Sequence, residues 1–127
     1  MVGESAGKNR PAQHEDDSLD AMAAAPDYHE VLLETDRVRV LDSRVAPGDT
    51  TPIHTHRWPG VLYVLSWSDF IRYDRDGNVV LDSRTAGSTP EAGTASWLPA
   101  LGPHCVKNVG DRELRAIAIE LKPPPGK

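Results

Sequence analysis

The 127-residue sequence has a single cysteine, Cys105, no long apolar run and no excess of basic residues. One cysteine excludes an internal disulfide and fits a reducing compartment. No stretch approaches the roughly 18 apolar residues of a membrane-spanning helix, and the first residues lack the apolar segment of a secretory signal. The 14 basic and 19 acidic side chains give a formal charge of −5, which argues against a nucleic-acid partner. We therefore expect a cytoplasmic protein that binds neither nucleic acid nor membrane.

The distribution of apolar residues predicts one folded domain between two polar ends. Residues 1–27 carry six acidic and two basic side chains and few bulky apolar ones, so we expect a flexible acidic arm. Within it, the stretch 18–26 predicts at most a helical turn that Pro26 ends. Residues 28–122 form the expected domain, and residues 123–127 form a Pro-rich tail.

That domain has the pattern of an all-β fold. Ten glycines and eleven prolines favour short elements joined by turns. The apolar run at residues 60–73 predicts one strand buried on both faces, and Asp76-Gly77-Asn78 predicts a hairpin turn. Short strands at this spacing predict a sandwich or barrel. The other candidate strands lie at 28–35, 36–47, 94–99, 104–110 and 113–121.

Two histidines one residue apart, His54 and His56, are the first candidates for chemistry. On a strand their side chains project to the same side, with Thr55 opposite. Two such imidazoles can bind one divalent metal at about 2.0–2.1 Å. The alternative is a pair of polar residues on a strand rim, and the spacing alone does not decide between them.

The residues around these histidines resemble the two sequence motifs of the cupin family. In the first motif a glycine precedes His-x-His by five residues; in the second a glycine is followed by proline, histidine and asparagine. The matching positions here are Gly48, His54 and His56, then Gly93, Pro99, His104 and Asn108. The resemblance covers about residues 30–121. It implies a double-stranded β-helix, or jelly-roll barrel, with a metal held by His54, His56 and His104.

The sequence departs from the cupin motifs at three places. The glutamate that supplies the family's fourth ligand is replaced by Gly60 or Val61, and two motif glycines fall at Trp67 and Leu101. The resemblance then implies a ligand set of three neutral imidazoles, which offsets less of the metal's charge and leaves a stronger Lewis acid. Ligand type does not choose among iron, zinc, nickel and manganese.

Three further residues are candidates for binding a small-molecule substrate: Tyr63, Trp58 and Arg72. Each has a plain structural alternative. Tyr63 also suits a packed core, Trp58 a rim or an oligomer contact, and Arg72 a solvated surface. His29 belongs to neither motif, and Glu120 shows no ligand spacing to the histidines.

The resemblance leaves several functions open. The first hypothesis is a metal-dependent oxygenase, similar to dioxygenases of the superfamily, with an isomerase or lyase as the second enzyme class. The alternative is a non-catalytic ligand-binding or sensor cupin whose metal is structural or absent, and a third possibility is that the histidines are relics. Cupins commonly dimerise through edge strands, so we expect a homodimer formed by the strand at 28–35.

Overall fold

Nine strands make up most of the structure, a computed structural model that describes residues 18–86 and 90–124. A short helix, α1 (Ala21–Ala24), comes first, and 3₁₀ turns lie at Pro26–Tyr28 and Ser83–Thr85. The predicted all-β class is therefore confirmed. The strands are β1 (His29–Glu34), β2 (Val38–Val45), β3 (His54–His56), β4 (Gly60–Ser66), β5 (Phe70–Asp74), β6 (Val79–Asp82), β7 (Ala95–Leu98), β8 (Leu101–Asn108) and β9 (Leu114–Leu121).

The strands form two antiparallel sheets with a cavity between them. The five-stranded sheet has the order β1-β2-β9-β4-β7, and the four-stranded sheet has the order β3-β8-β5-β6. Side chains of both sheets line the same cavity, for example Leu62 and Ala118 of the first and Phe70 and Val106 of the second. A functional group on an inward-facing strand position therefore points into a largely apolar cavity. Among the described residues, no helix is long and apolar enough to cross a membrane.

The apolar run at residues 60–73 is two strands rather than the predicted single one. β4 and β5 belong to different sheets, and residues 67–69 connect them. The connection is fixed by polar contacts: Ser68 Oγ donates to Asn108 Oδ1 at 2.7 Å, and the Val109 amide donates to the Asp69 carbonyl at 2.9 Å. Burial on both faces was also wrong for β4, because Tyr63 is 40% exposed. Hydropathy did not predict this connection because it takes no account of the hydrogen bond that Ser68 makes.

Residues 18–27, which the sequence assigned to a flexible arm, pack on the sheets. Ala21 is fully buried against Leu41 and Ala118, and the Thr55 amide on β3 donates to the Leu19 carbonyl at 2.7 Å. The folded domain thus includes residues before the expected start at 28. The predicted helical turn is α1, which ends before Pro26. The arm up to residue 17 and the tail from residue 125 lie outside the described residues.

Glycine is required at position 60, where β4 pairs with β9. It pairs with Glu120, and a Cβ at this position would collide with the backbone carbonyl of Ile119. Backbone cannot give way as a side chain can, so Gly60→Ala should destabilise the protein by about 1–3 kcal/mol. Urea unfolding at neutral pH measures this loss.

Gly102→Ala is the matched control for this substitution. Gly102 also lies in a strand, and a Cβ there meets nothing within 4 Å. We expect Gly102→Ala to stay close to wild type. Equal unfolding midpoints for the two variants would contradict the close approach at Gly60.

Candidate metal centre

Four histidines from three strands meet at one place in the cavity. His29 begins β1, His54 and His56 are the ends of β3, and His104 lies on β8 directly opposite His54. All four are buried, with exposed fractions of 2–7%. A bulge between His54 and His56 accompanies their pairing with β8. The sheets thus bring together side chains that are up to 75 positions apart, counted from His29 to His104 (104 − 29).

The rings are close enough to share one ion. Ring centroids are 5.0 Å apart for His29 and His54, 5.3 Å for His29 and His56, and 5.1 Å for His54 and His56. One ligand nitrogen from each of these three residues lies within 4.8 Å of the others. Two nitrogens on opposite sides of a metal are about 4.2 Å apart, twice the bond length, so small side-chain shifts would close the site. The His104 ring adjoins this group at 4.5 Å from His54 and 5.7 Å from His56.

The hydrogen bonds of the rings fix which nitrogen carries the proton. Every Nδ1 faces an acceptor: the carbonyls of Ala25, Pro52 and Gly102 at 3.0, 2.8 and 2.7 Å, and a carboxylate oxygen of Glu120 at 2.9 Å. In a neutral imidazole, Nδ1 must donate to such a partner, which leaves Nε2 with a free lone pair. An outer acceptor on one nitrogen and a lone pair on the other is the usual state of a metal-binding histidine.

Burial keeps three of these imidazoles neutral. It lowers the pKa of His29 and of His104 to about 4, and the pKa of His54 to about 3. In each case the loss of hydration is the largest cause, because it penalises the charged ring. Neutral imidazole is the form that binds a metal, so at neutral pH these rings need not release a proton first.

A buried network of three charged side chains, Glu120, Arg39 and Asp20, holds the ring of His56 in place. Glu120, 1% exposed, accepts from Nδ1 of His56 through one oxygen and from Nε of Arg39 at 2.7 Å through the other. The Arg39 guanidinium also donates to both oxygens of Asp20 at 2.9 Å. The residue before α1 is therefore connected to the histidine cluster through two ion pairs.

The cavity next to the histidines has a volume of about 370 Å³ and a mostly apolar wall. This is near the lower end of the range for small-molecule sites. Apart from the histidines, Arg72 is one of two cationic side chains among the described lining residues; the other is Arg115, which is paired with Asp42. Apolar lining residues include Val45, Leu62, Val64, Phe70, Leu98, Leu101, Val106, Leu114 and Ala118.

The predicted site residues have different outcomes. The structure brings His54, His56 and His104 together and places Arg72 in the cavity wall. Tyr63 lies outside the cavity lining, on the opposite face of β4 from the lining residues Leu62 and Val64.

Trp58 also lies outside the cavity lining. Its ring is covered by cations instead: the guanidinium carbons of Arg57 and Arg39 are 4.4 and 5.0 Å from the ring centroid, and the Lys122 ammonium is 5.2 Å away. Trp58 therefore packs against these cations instead of lining the cavity.

Sequence reasoning missed two residues of the site, His29 and Glu120. His29 belongs to no motif, and only the pairing of β1 with β2 brings it to the cluster. Glu120 pairs with Gly60, one of the two positions where the cupin glutamate would fall. The carboxylate beside the histidines thus comes from the neighbouring strand β9, and it accepts a hydrogen bond from Nδ1 of His56. In the sequence, Glu120 is an isolated glutamate near the end of an alternating strand, and nothing in that pattern indicates a contact with a histidine.

Comparison with known proteins identifies the fold. No protein-family model matches the sequence, and no protein of curated function is detectably similar to it. A cupin domain from Bordetella pertussis Tohama I has a TM-score of 0.61 and 24% identity over 75% of this chain and 92% of its own. An RmlC-like cupin with a double-stranded β-helix from Methanocaldococcus jannaschii has a TM-score of 0.52 and 14% identity over 74% and 78%. The polyketide cyclase RemF from Streptomyces resistomycificus has a TM-score of 0.50 and 22% identity over 80% and 70%.

These similarities and the two-sheet topology define the class of the protein. It has the cupin fold, a double-stranded β-helix, with a cluster of histidines from both sheets in the wall of its cavity.

Proposed function

We propose that the protein is a metal-binding cupin in which His29, His54, His56 and His104 hold one divalent transition-metal ion. The observation that supports this most strongly is the common orientation of the rings: all four tie Nδ1 to an acceptor and so leave Nε2 for a ligand bond. Four rings buried only for packing would not need this common orientation. His29 thereby supplies a fourth ligand where the cupin glutamate is missing.

The donor set fits such an ion. Neutral imidazoles suit iron, zinc, nickel and copper, and none of the four brings a charge to offset that of the metal. A bound divalent ion supplies Lewis-acid chemistry, or redox chemistry in the case of iron, at the positions the imidazoles leave open. The chain's own part is to hold the rings, exclude water with the apolar wall and seat a small organic molecule beside them.

Oxidation of a small organic substrate is the first reaction class that we propose. It is tested by oxygen consumption of the iron(II)-loaded protein over thiols, diketones and phenols, with His54→Ala as control. Turnover that His54→Ala abolishes is the expected result. No turnover, combined with stabilisation of the protein by a panel compound, would favour the non-catalytic ligand-binding alternative.

A reaction without redox change is the second class. A polyketide cyclase shares the fold, and the neutral ligand set leaves most of the metal's charge to polarise a carbonyl group. The zinc-loaded protein, incubated with a linear poly-carbonyl compound, tests this class by product analysis.

Glu120→Gln should weaken metal binding without removing a ligand. The carboxylate holds the His56 ring in place and accepts its Nδ1–H; the amide keeps the shape and loses the charge. Loss of such an outer hydrogen-bond partner lowers metal affinity by about 10–100-fold. Competition against a zinc indicator measures this change, and Glu34→Gln, at an exposed ion pair with Lys122, is the control. Unchanged zinc affinity in Glu120→Gln would contradict the role of His56 as a ligand.

We also propose a homodimer formed through β1. This strand is one edge of the five-stranded sheet, and its outer part exposes Val31, Leu32 and Leu33 by 37–54%. An unpaired apolar edge is stabilised when a second copy adds its own strand. Sedimentation should show a dimer at micromolar concentration and a monomer for Leu32→Asp combined with Leu33→Asp. A monomeric wild type would contradict the proposal.

A further inference from the structure

Arg72 is a cation in the cavity wall, without a counter-ion in the part of the chain that the structure describes. It lies on β5 opposite Val106, two positions from His104 on the neighbouring strand, so its side chain shares the inner face with the histidine cluster. Among the described residues no hydrogen bond or ion pair to its guanidinium is found, and its buried Nε has no acceptor. Burial lowers its pKa, with no carboxylate to oppose the effect.

Four other described arginines have a carboxylate partner. Arg39, Arg44, Arg84 and Arg115 each contact an aspartate or glutamate at 3.1 Å or less. The first of these is buried and has two carboxylates. Arg72 is half-buried, and its buried Nε lacks an acceptor among the described residues. A buried donor left without a partner costs free energy, and such groups in native proteins call for an explanation such as a ligand.

A second donor without a partner lies near Arg72. Trp67 lines the cavity, and its buried indole N–H has no acceptor among the described residues. Phe70 connects the two: its ring is in edge contact with Trp67 at 5.5 Å, and the guanidinium carbon of Arg72 is 6.0 Å from its centroid. One wall of the cavity thus combines two aromatic rings with two unused donor groups.

We propose that this wall, defined by Trp67, Phe70 and Arg72, is a carboxylate subsite, and that the cavity takes a small, largely apolar organic acid. The guanidinium of Arg72 binds the carboxylate, the indole N–H of Trp67 is a further donor, and the apolar body lies between the sheets, toward the histidines. A planar fork of N–H donors can bind both oxygens of a carboxylate at once. The inference rests on the proposed function only in that it names the substrate class of the same cavity.

The test is calorimetric titration of the chelator-treated protein with three acids of different shape, benzoate, phenylacetate and hexanoate, and with their uncharged amides. At least one acid should bind about tenfold or more tightly than its amide, as expected for a charge-assisted contact. Arg72→Met should remove this preference, Arg72→Lys should keep part of it, and Trp67→Phe should weaken acid binding by about two- to tenfold. Three acids that bind no better than their amides, or an unchanged preference in Arg72→Met, would overturn the proposal.

Arg75→Met is the matched control, because it removes the same charge from an exposed turn outside the cavity lining. It should bind the acids as wild type does. Because Arg72 has no partner to leave behind, Arg72→Met should also be at least as stable as wild type. A marked loss of stability in Arg72→Met would show that the guanidinium has a structural partner and would overturn the proposal as well.

Failure of the metal centre and failure of this subsite are distinguishable. Acid binding by the metal-free protein, combined with refusal of zinc, would contradict the metal centre and leave the carboxylate subsite standing. Stoichiometric zinc without any acid preference would do the reverse.

Discussion

Replacing Arg39 by methionine should destabilise the protein by about 3–5 kcal/mol, because removal of one partner leaves buried charges uncompensated. Among the described residues, Arg39 is the only arginine or lysine that forms an ion pair with Glu120, and it also neutralises Asp20. Both carboxylates are buried, with exposed fractions of 1% and 9%. The variant also loses the contact of the guanidinium with the Trp58 ring at 5.0 Å. Urea unfolding at neutral pH measures the effect.

Arg44→Met is the control, since it removes an arginine from the same strand. Arg44 pairs with Asp42, but its side chain is 47% exposed and Asp42 keeps its second partner, Arg115. Such a pair contributes about 0–1 kcal/mol. If Arg39→Met and Arg44→Met unfold at the same urea concentration, the buried network does not stabilise the fold as described.

The metal-free protein should lose stability as the pH falls from about 6.5 to about 4. The ordinary histidine pKa is 6.5, whereas His29 and His104 have values of about 4 and His54 about 3 in the folded chain. Over this pH range the unfolded chain binds protons that the folded chain does not bind, so the free energy of unfolding decreases as the pH falls. For a single ring the full loss is on the order of 3 kcal/mol.

Urea unfolding of the chelator-treated protein at several pH values measures this loss. His29→Gln removes one of the titrating rings and should make the fall shallower. The aspartates with lowered pKa values, Asp20 and Asp42, act in a separate window, because their contribution is lost only as the pH falls below 3.8 toward their folded values. A free energy of unfolding that is constant from pH 6.5 to pH 4 would contradict the burial of neutral imidazoles.

The local sequence predicted the parts of the site that lie on a regular pattern. The alternation of a strand places His54 and His56 on one side, and their resemblance to cupin motifs added His104. Asn108, the last matching position of the second motif, is fully buried in the structure and donates to the carbonyls of Val45 and Arg112.

The other residues of the site are brought in by pairing between strands that are distant in the sequence. His29 and Glu120 join the site through the register of β1 with β2 and of β4 with β9, which no short stretch encodes. The last ten residues of the predicted arm were misjudged for a similar reason: residues 18–27 contain few large apolar side chains, yet Ala21 and Ala25 fit against the sheets because they are small. Composition reports how much apolar surface a segment has, but not whether a matching surface exists elsewhere.

The central claim, that four histidines hold one metal ion, is tested most directly by equilibrium dialysis against buffered zinc followed by elemental analysis. Wild type should retain one zinc per chain, and so should Cys105→Ser, which removes a thiol beside His104. Each of His29→Ala, His54→Ala, His56→Ala and His104→Ala should lose more affinity than the about 10–100-fold expected for an outer hydrogen-bond partner. A wild-type protein that retains no zinc, or zinc that all four substitutions leave in place, would contradict the metal centre; zinc that only His29→Ala leaves in place would reduce it to three ligands.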